Sequence, residues 1–294
     1  MLRLGQTIYR SFGPRIQRAF KYLQTRGIPK QEIIEGRYLT RFARTPEEID
    51  QALRLRFEVF NLELNEGLES SFITGRDEDE FDQFCHHLIV IERSSNRVVG
   101  TYRLQTFEMV RDVFGFYSAS EFQIEKLPVD LLKQSIEIGR ACIAKDHRNN
   151  RVLFLLWKGL ALYLMLKEKR YMFGCCSLPS QNPTDGMMAF EYLNNEKHLH
   201  PYLQIQPRVG YQCKTDSPYS AEAIELPKLF KTYLRIGAKV CSEPALDRHF
   251  KTIDFFVLFD VNNIEPKYYE MFFREFEYLR KDKKRFGKFQ RRLV

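Results

Sequence analysis

The run VLFLLWKGLALYLMLKEK, residues 152–169, narrows the possible folds more than any other stretch of this chain. It is apolar on nearly every helical face, so a helix here must be buried. Lys158 interrupts it and Lys167 closes it, which leaves it too short and too charged for the ~20 apolar residues of a membrane span. Apolar strand patterns flank it: SIEIGRACIA (135–144) before, and YMFGCCSL (171–178) after. Such a strand–helix–strand unit closes as a right-handed crossover with its two strands parallel.

The elements around this unit fit one sheet. YLTRFA (38–43) alternates as a strand, and Thr45-Pro46-Glu47-Glu48 supplies an N-cap, a first-turn proline and first-turn acids. A helix then runs through IDQALRLRFEVFNLEL, and residues 66–85 read as an acidic loop. HHLIVIE (86–92) and RVVGTYRLQTF (97–107) form a hairpin across SSN. FYSASEF (116–122) reads as irregular. Helices are expected over 184–199 and 224–240, a strand over 252–261, and a terminal helix from Pro266 that ends in basic residues. The plan is mixed α/β around one twisted sheet.

Charge is concentrated at the ends. The net charge is +8; the first 44 residues hold ten Arg/Lys against two Glu, and the last 21 hold nine against three acids. Residues 1–36 form a basic amphipathic lead, with Ile8, Phe12, Ile16, Phe20 and Leu23 at near-helical spacing. It lies on an anionic membrane or packs on the protein's own body. The expected divisions are this lead, a main domain over 37–273 with 200–273 as an elaboration, and a basic tail over 274–294. Arginines interrupt the N-terminus where a signal peptide would need an apolar core, so a cytoplasmic protein is expected. The six cysteines lack CxxC spacing and read as free thiols. The adjacent His86 and His87 point to opposite strand faces, so no metal site is expected. The basic tail holds only Phe286 and Phe289 for stacking, which argues against nucleic acid.

The strand at 135–144 carries Glu137 and Arg140, either as a buried ion pair or as part of a site. It runs into a basic turn, His147, Arg148 and Arg151, at a helix N-terminus where backbone N–H groups favour an anion. Arg54 and Arg56 lie on the first helix, and Asp82 and Arg103 flank the hairpin.

The strand–turn–helix element resembles the GNAT acyltransferase superfamily. More narrowly, RLRFEVFNLEL, DEDEFDQFCHHLIVI, VVGTYRL, FYSASEF, IEIGRACI, HRNNRVLFLLWKGL and FGCCSL resemble, in order, the hemolysin-like N-acyltransferases of ornithine-lipid synthesis. The likeness spans about residues 38–260. A looser one connects Arg56, Val59, Phe60, Asp82, Glu137 and Arg140 to acyl-homoserine-lactone synthases; these usually carry a tryptophan after the first helix, whereas the only one here is Trp157.

The resemblance implies a GNAT-like, mostly antiparallel sheet flanked by helices, with the parallel unit at 135–178. It implies transfer of a long acyl chain, with or without a 3-hydroxyl, to the α-amine of an amino acid, foremost ornithine, with glycine, lysine or a homoserine-lactone product as alternatives. The donor is acyl-carrier protein or acyl-CoA, with no tightly bound cofactor. The turn, by resemblance Cys142, Ile143, Ala144, His147, Arg148, Asn149, Asn150, Arg151 and Val152, would grip the donor phosphate. GNAT turns are glycine-rich; HRNNRV has no glycine, which favours the single phosphate of a carrier-protein arm. The basic ends would hold the enzyme at the inner leaflet of the cytoplasmic membrane or receive the acidic carrier.

The chemistry then assigns roles. A neutral amine must attack a thioester, so a desolvated carboxylate must take its proton, and Glu137 is the candidate. Arg140 stands beside it in the catalytic strand. Arg56, Arg103 and Arg140 are the options for the acceptor's carboxylate, while Asp82 holds a second amine or positions Arg103. Strand N–H groups near Ile138–Cys142 would stabilise the oxyanion. Cys142, Cys175 and Cys176 read as small core residues rather than nucleophiles. Lys239, Glu243 and Asp254 are possible cleft residues.

Overall fold

The computed structural model describes residues 27–111, 115–215 and 224–279. The helical lead expected over residues 8–23 and the basic tail beyond 279 lie outside the described residues.

Nine strands among the described residues form one sheet: β1 (Ile33–Glu35), β2 (Tyr38–Phe42), β3 (His86–Glu92), β4 (Arg97–Thr106), β5 (Ser135–Ile143), β6 (Tyr171–Leu178), β7 (Lys239–Val240), β8 (Ala245–Asp247) and β9 (Thr252–Asp260). The order is β1-β2-β3-β4-β5-β6-β9-β7, with β8 also on β9. Neighbours are antiparallel except β5 and β6, which are parallel as the crossover rule requires. β1 and β2 make a hairpin across Gly36-Arg37, so the sheet begins inside the segment assigned to the lead.

The longer helices are α1 (Pro46–Arg56), α2 (Asn150–Leu166), α3 (Pro183–Asn195), α4 (Lys228–Ile236) and α5 (Pro266–Phe272). α1 starts with a full capping box between Thr45 and Glu48. The buried run of the sequence is α2, with Leu155, Leu160, Ala161, Tyr163 and Leu164 fully inaccessible. Its Gly159 lets the helix sit against β3: a Cβ there would come within 2.6 Å of Leu88. β9 feeds both faces of the sheet. Phe255, Val257 and Phe259 join the α2 side, while Phe256 and Leu258 pack with Phe122 and Phe173 on the other.

Three expected helices differ. The first stops being α-helical at Arg56 and widens to i→i+5 bonding over Phe57–Glu63; one inserted residue does not alter the apolar spacing from which the helix was read. The helix over 224–240 ends at Gly237, whose φ of 116° closes it, and the chain re-enters the sheet as β7. The terminal helix gives way after Phe272 to a 3₁₀ segment through Leu279. The acidic loop also turns inward, for Asp77 is fully buried and Asp82 nearly so.

Candidate active site

Between β5 and β6 the sheet comes apart. Only three residue pairs bond, Ser135–Tyr171, Ile136–Met172 and Glu137–Phe173, although the strands are nine and eight residues long. Two features force the parting. Opposite Tyr102, β5 carries an extra residue, because Thr101 pairs with Cys142 but Arg103 with Gly139. Arg140 takes the left-handed turn of this bulge at φ 50°, a conformation costly for a residue with a Cβ. Past Glu137 the edge of β5 that faces β6 therefore has no strand partner. A cavity of about 330 Å³ fills the opening.

The cavity has a polar end and an apolar end. Ile138–Ala141 of β5 and Phe173–Ser177 of β6 line its middle, Met172, Trp157, Phe230, Tyr233 and Phe259 its apolar depth. There the Tyr102 and Tyr233 hydroxyls bond each other at 2.5 Å. The polar end gathers Glu66, Arg103, Gln105, Tyr117, Glu137, Arg140 and Asp254. The widened helix and the residues just after it help to build the cavity wall, since Phe60, Leu64 and Glu66 all line it.

The predicted charged residues form two separate constellations. Glu137 is buried, and four donors converge on it: the backbone N–H groups of Tyr117 and Ser118 (both 2.7 Å), the Ser118 hydroxyl and the Gln105 amide. Burial pushes its carboxyl up, against the pull of those donors. It forms no pair with Arg140. Instead Arg140 contacts Asp77 (3.3 Å) and Asp79 (3.2 Å), with its guanidinium over the rings of Phe250 and Tyr117. The ion-pair reading of Glu137 and Arg140 is thus corrected: alternation and the bulge send the two side chains to different partners.

Arg56, Arg103 and Arg140 meet Asp77, Asp79 and Asp82 in one buried network of three cations and three anions. Arg56 reaches Asp77 through Nε (2.7 Å) and Asp82 through Nη1 (2.6 Å). Arg103 binds Asp79 (2.5 Å) and Asp82 (3.1 Å). These arginines hold the Asp82 carboxyl far below the usual carboxylate range in spite of its burial. Of the predicted acceptor set, Arg103 reaches the cavity; Arg56 and Asp82 lie behind it.

At the turn, Asn149 caps α2 by accepting from Val152 N–H at 3.0 Å. Arg148 pairs with Glu63, and its Nε donates to the Ile143 carbonyl at 3.1 Å. Arg151 lies 3.8 Å from Glu35. His147 is buried and bonded to the Tyr38 hydroxyl at 3.0 Å, so it faces inward rather than toward a phosphate. Cys142, with a thiol pushed up by burial, and Ala144 are core residues. His86 and His87 go to different partners, Tyr163 and the Asp82 carbonyl. All six cysteines are unpaired.

Asp254 lines the cavity, whereas Lys239 donates to the Lys197 carbonyl and Glu243 accepts from Gln206. The sequence reading missed Glu66, Tyr117, Ser118 and Glu121. For Glu121 and Ser118 no periodic signal exists, because their segment is irregular. No helix among the described residues is long and apolar enough to cross a membrane.

Residues 55–158 match the acetyltransferase (GNAT) domain family. Over 243 residues the chain is 32% identical to a protein of Rhizobium meliloti (strain 1021) named L-ornithine N(alpha)-acyltransferase, covering 78% of this chain and 82% of that one. The chain belongs to the L-ornithine N(alpha)-acyltransferase family. A second family member of that name, from Agrobacterium fabrum (strain C58 / ATCC 33970), is 31% identical over 253 residues, with 79% of this chain and 84% of that one covered. A solved CoA-dependent acyl-homoserine lactone synthase overlies 77% of this chain and 80% of its own at a TM-score of 0.44 and 15% identity. As a member of this family the protein is an acyltransferase with a GNAT-type mixed sheet.

Proposed function

We propose that the protein transfers a long acyl chain from acyl-carrier protein to the α-amine of ornithine, as the first acylation of an ornithine lipid. The observation that carries this reading is the cavity at the parted strands, polar at one end and apolar at the other. An acyl chain fits the apolar depth beside Trp157 and Phe230. A zwitterionic acceptor fits the polar end. The name of the relatives, L-ornithine N(alpha)-acyltransferase, supplies the acceptor.

In this reading the thioester lies along the free edge of β5, whose backbone N–H groups past Glu137 receive the developing oxyanion. Such donors are each worth roughly 3 kcal/mol. Arg103 and Arg140 face the acceptor's carboxylate. The neutral α-amine attacks the carbonyl carbon, and the C–N bond forms. Glu66 takes the amine proton. Its carboxyl has no hydrogen-bond donor among the described residues, and burial beside Asp254 pushes it up to about 7, near the best value for a base at neutral pH. The C–S bond then breaks, and the proton on Glu66 passes to the departing phosphopantetheine thiolate. Glu137, saturated by four donors, holds Tyr117 and Ser118 in place rather than carrying the proton. Arg148 and Arg151, beside the capped start of α2, meet the carrier arm's phosphate, and the basic chain ends meet the carrier protein or an anionic membrane. No metal enters the scheme.

The test is turnover by the purified full-length protein with ornithine and either acyl-carrier-protein or CoA thioesters, followed by mass spectrometry of the lipid product. Nα-acylornithine from the carrier-bound donor is expected. A product on glycine or lysine alone, a lactone, or a strict need for CoA would overturn the acceptor or the donor assignment.

A further inference from the structure

The two sides of the cavity's polar end are not charged alike. The Arg103–Arg140 side is neutralised, three guanidiniums against three carboxylates. The other side has only acids. Asp254 lines the cavity from β9; Glu121 and Cys175 lie with it so that the three ligating atoms are within 4.8 Å of one another. Glu121 is 1% exposed and Asp254 4%. Among the described residues Oε1 of Glu121 and Oδ1 of Asp254 have no hydrogen-bond donor, although the two carboxyls lie against each other and the Ser177 and Thr252 side chains also approach Asp254. Asp247 stands close by, but it is occupied by the N–H groups of His249 (2.7 Å) and Phe250 (3.0 Å). The Cys175 thiol gives Glu121 only a weak contact at 3.9 Å. No Lys or Arg among the described residues pairs with Glu66, Glu121, Asp247 or Asp254. Arg140 offsets the charge on Glu121 only in part, being already engaged by Asp77 and Asp79.

Buried carboxylate oxygens without donors are costly and demand a cation or a proton. In the free protein a proton serves: burial and the neighbouring acids push Glu121 well up, and Asp254 up to about 6. An alkylammonium offers what the site lacks, one positive charge and three N–H donors on a flexible stem. A divalent metal is the poorer fit, because its three ligands would mix one soft thiol with two hard carboxylates.

We propose that Asp254, backed by Glu121, is the subsite for the acceptor's second, cationic amine. The proposal rests on the amino-acid acylation described above and adds what selects a diamino acid. It also gives regioselectivity. The amine held here remains an ammonium, has no lone pair and cannot attack, so the chain is joined to the α-nitrogen.

L-Norvaline has ornithine's carbon skeleton without the δ-amine and is the probe. Removing one partner of a buried charge pair costs binding by roughly 30-fold or more. The wild-type enzyme should therefore prefer ornithine to norvaline by at least that factor in kcat/KM. Asp254→Asn should collapse the preference to a few-fold and let some Nδ-acyl product appear by mass spectrometry. Calorimetric titration of the donor-free wild-type protein with each amino acid reads the subsite without turnover or a variant, and should show the same preference. Wild-type protein that binds norvaline as well as ornithine overturns the proposal. So does an Asp254→Asn variant, folded by circular dichroism, that loses both substrates equally, or a stoichiometric metal whose chelation abolishes ornithine binding. Failure of the acylation reading looks different: ornithine is preferred in calorimetry, yet no acyl product forms from any donor.

Discussion

Glu137→Gln removes one charge and puts a donor amide where a carboxylate oxygen accepted. In the structure Oε1 takes the Ser118 N–H and hydroxyl, and Oε2 takes the Tyr117 N–H and the Gln105 amide. A glutamine oxygen can keep the Ser118 pair. Its NH₂ then faces two other donors. Gln105 can flip, since its own oxygen accepts only a 3.3 Å contact from the Cys85 thiol. The Tyr117 N–H cannot turn. Leaving it buried and unpaired costs about 1–3 kcal/mol, and the Ser118 bonds lose their charge assistance at roughly 1 kcal/mol more. The relief of desolvating a carboxylate offsets part of this, so about 2–4 kcal/mol of destabilisation is expected. That is a large share of a typical 5–15 kcal/mol. Urea unfolding followed by circular dichroism should show the midpoint falling on the order of 1 M at unchanged slope. Turnover should fall with it, because Tyr117 and Ser118 border the site. A variant with the wild-type midpoint and no turnover would refute the holding role and return the proton to Glu137.

Three further outcomes follow from the geometry. Arg56→Met leaves Asp77 and Asp82 buried with two cations for three anions, and should cost about 3–5 kcal/mol in the same urea assay; a loss under 1 kcal/mol would refute the network's importance. Gly174→Ala places a Cβ 2.2 Å from the Ile138 carbonyl oxygen, so the strands must part earlier, at about 1–3 kcal/mol or more; thermal unfolding and a changed acyl-chain preference report it. Glu66 and Asp254 have folded pKa values of about 7 and about 6, above the ordinary 4.5 and 3.8. The folded state therefore holds their protons more tightly. Their contribution to stability is full below pH ~4 and is lost as pH rises through 6 to 7. Glu66→Gln should flatten that decline, and it should abolish the rise of kcat/KM that the wild type shows toward a plateau above pH ~7.

Much of this architecture is written in local pattern. The apolar run of α2 between two apolar strands dictates a parallel crossover, and the capping signals at Thr45 fix the start of α1. The basic turn and the Glu137 strand were legible as a region. Their partners were not, because ion pairing is decided by which strand face a bulge leaves exposed. Arg140 at φ 50° sits in that bulge and turns to Asp77 and Asp79, away from Glu137. Likewise Asp77 and Asp79 read as solvated loop acids until three arginines from three elements close over them. The acid of β9 did carry a signal, for Asp254 interrupts the apolar run TIDFFVLFD. Glu66 carried none, since its position depends on one extra residue in the helical turn before it.

The short parallel seam has a mechanical meaning. Three residue pairs join a plate made of β1 to β5 to a plate made of β6 to β9, with α2 as the covalent strut between β5 and β6. A sheet built this way opens like a book whose spine is Gly174 against Ile138. A side chain added at that spine would act on the angle between the two plates, and so on the whole length of the cavity at once, rather than on one contact within it.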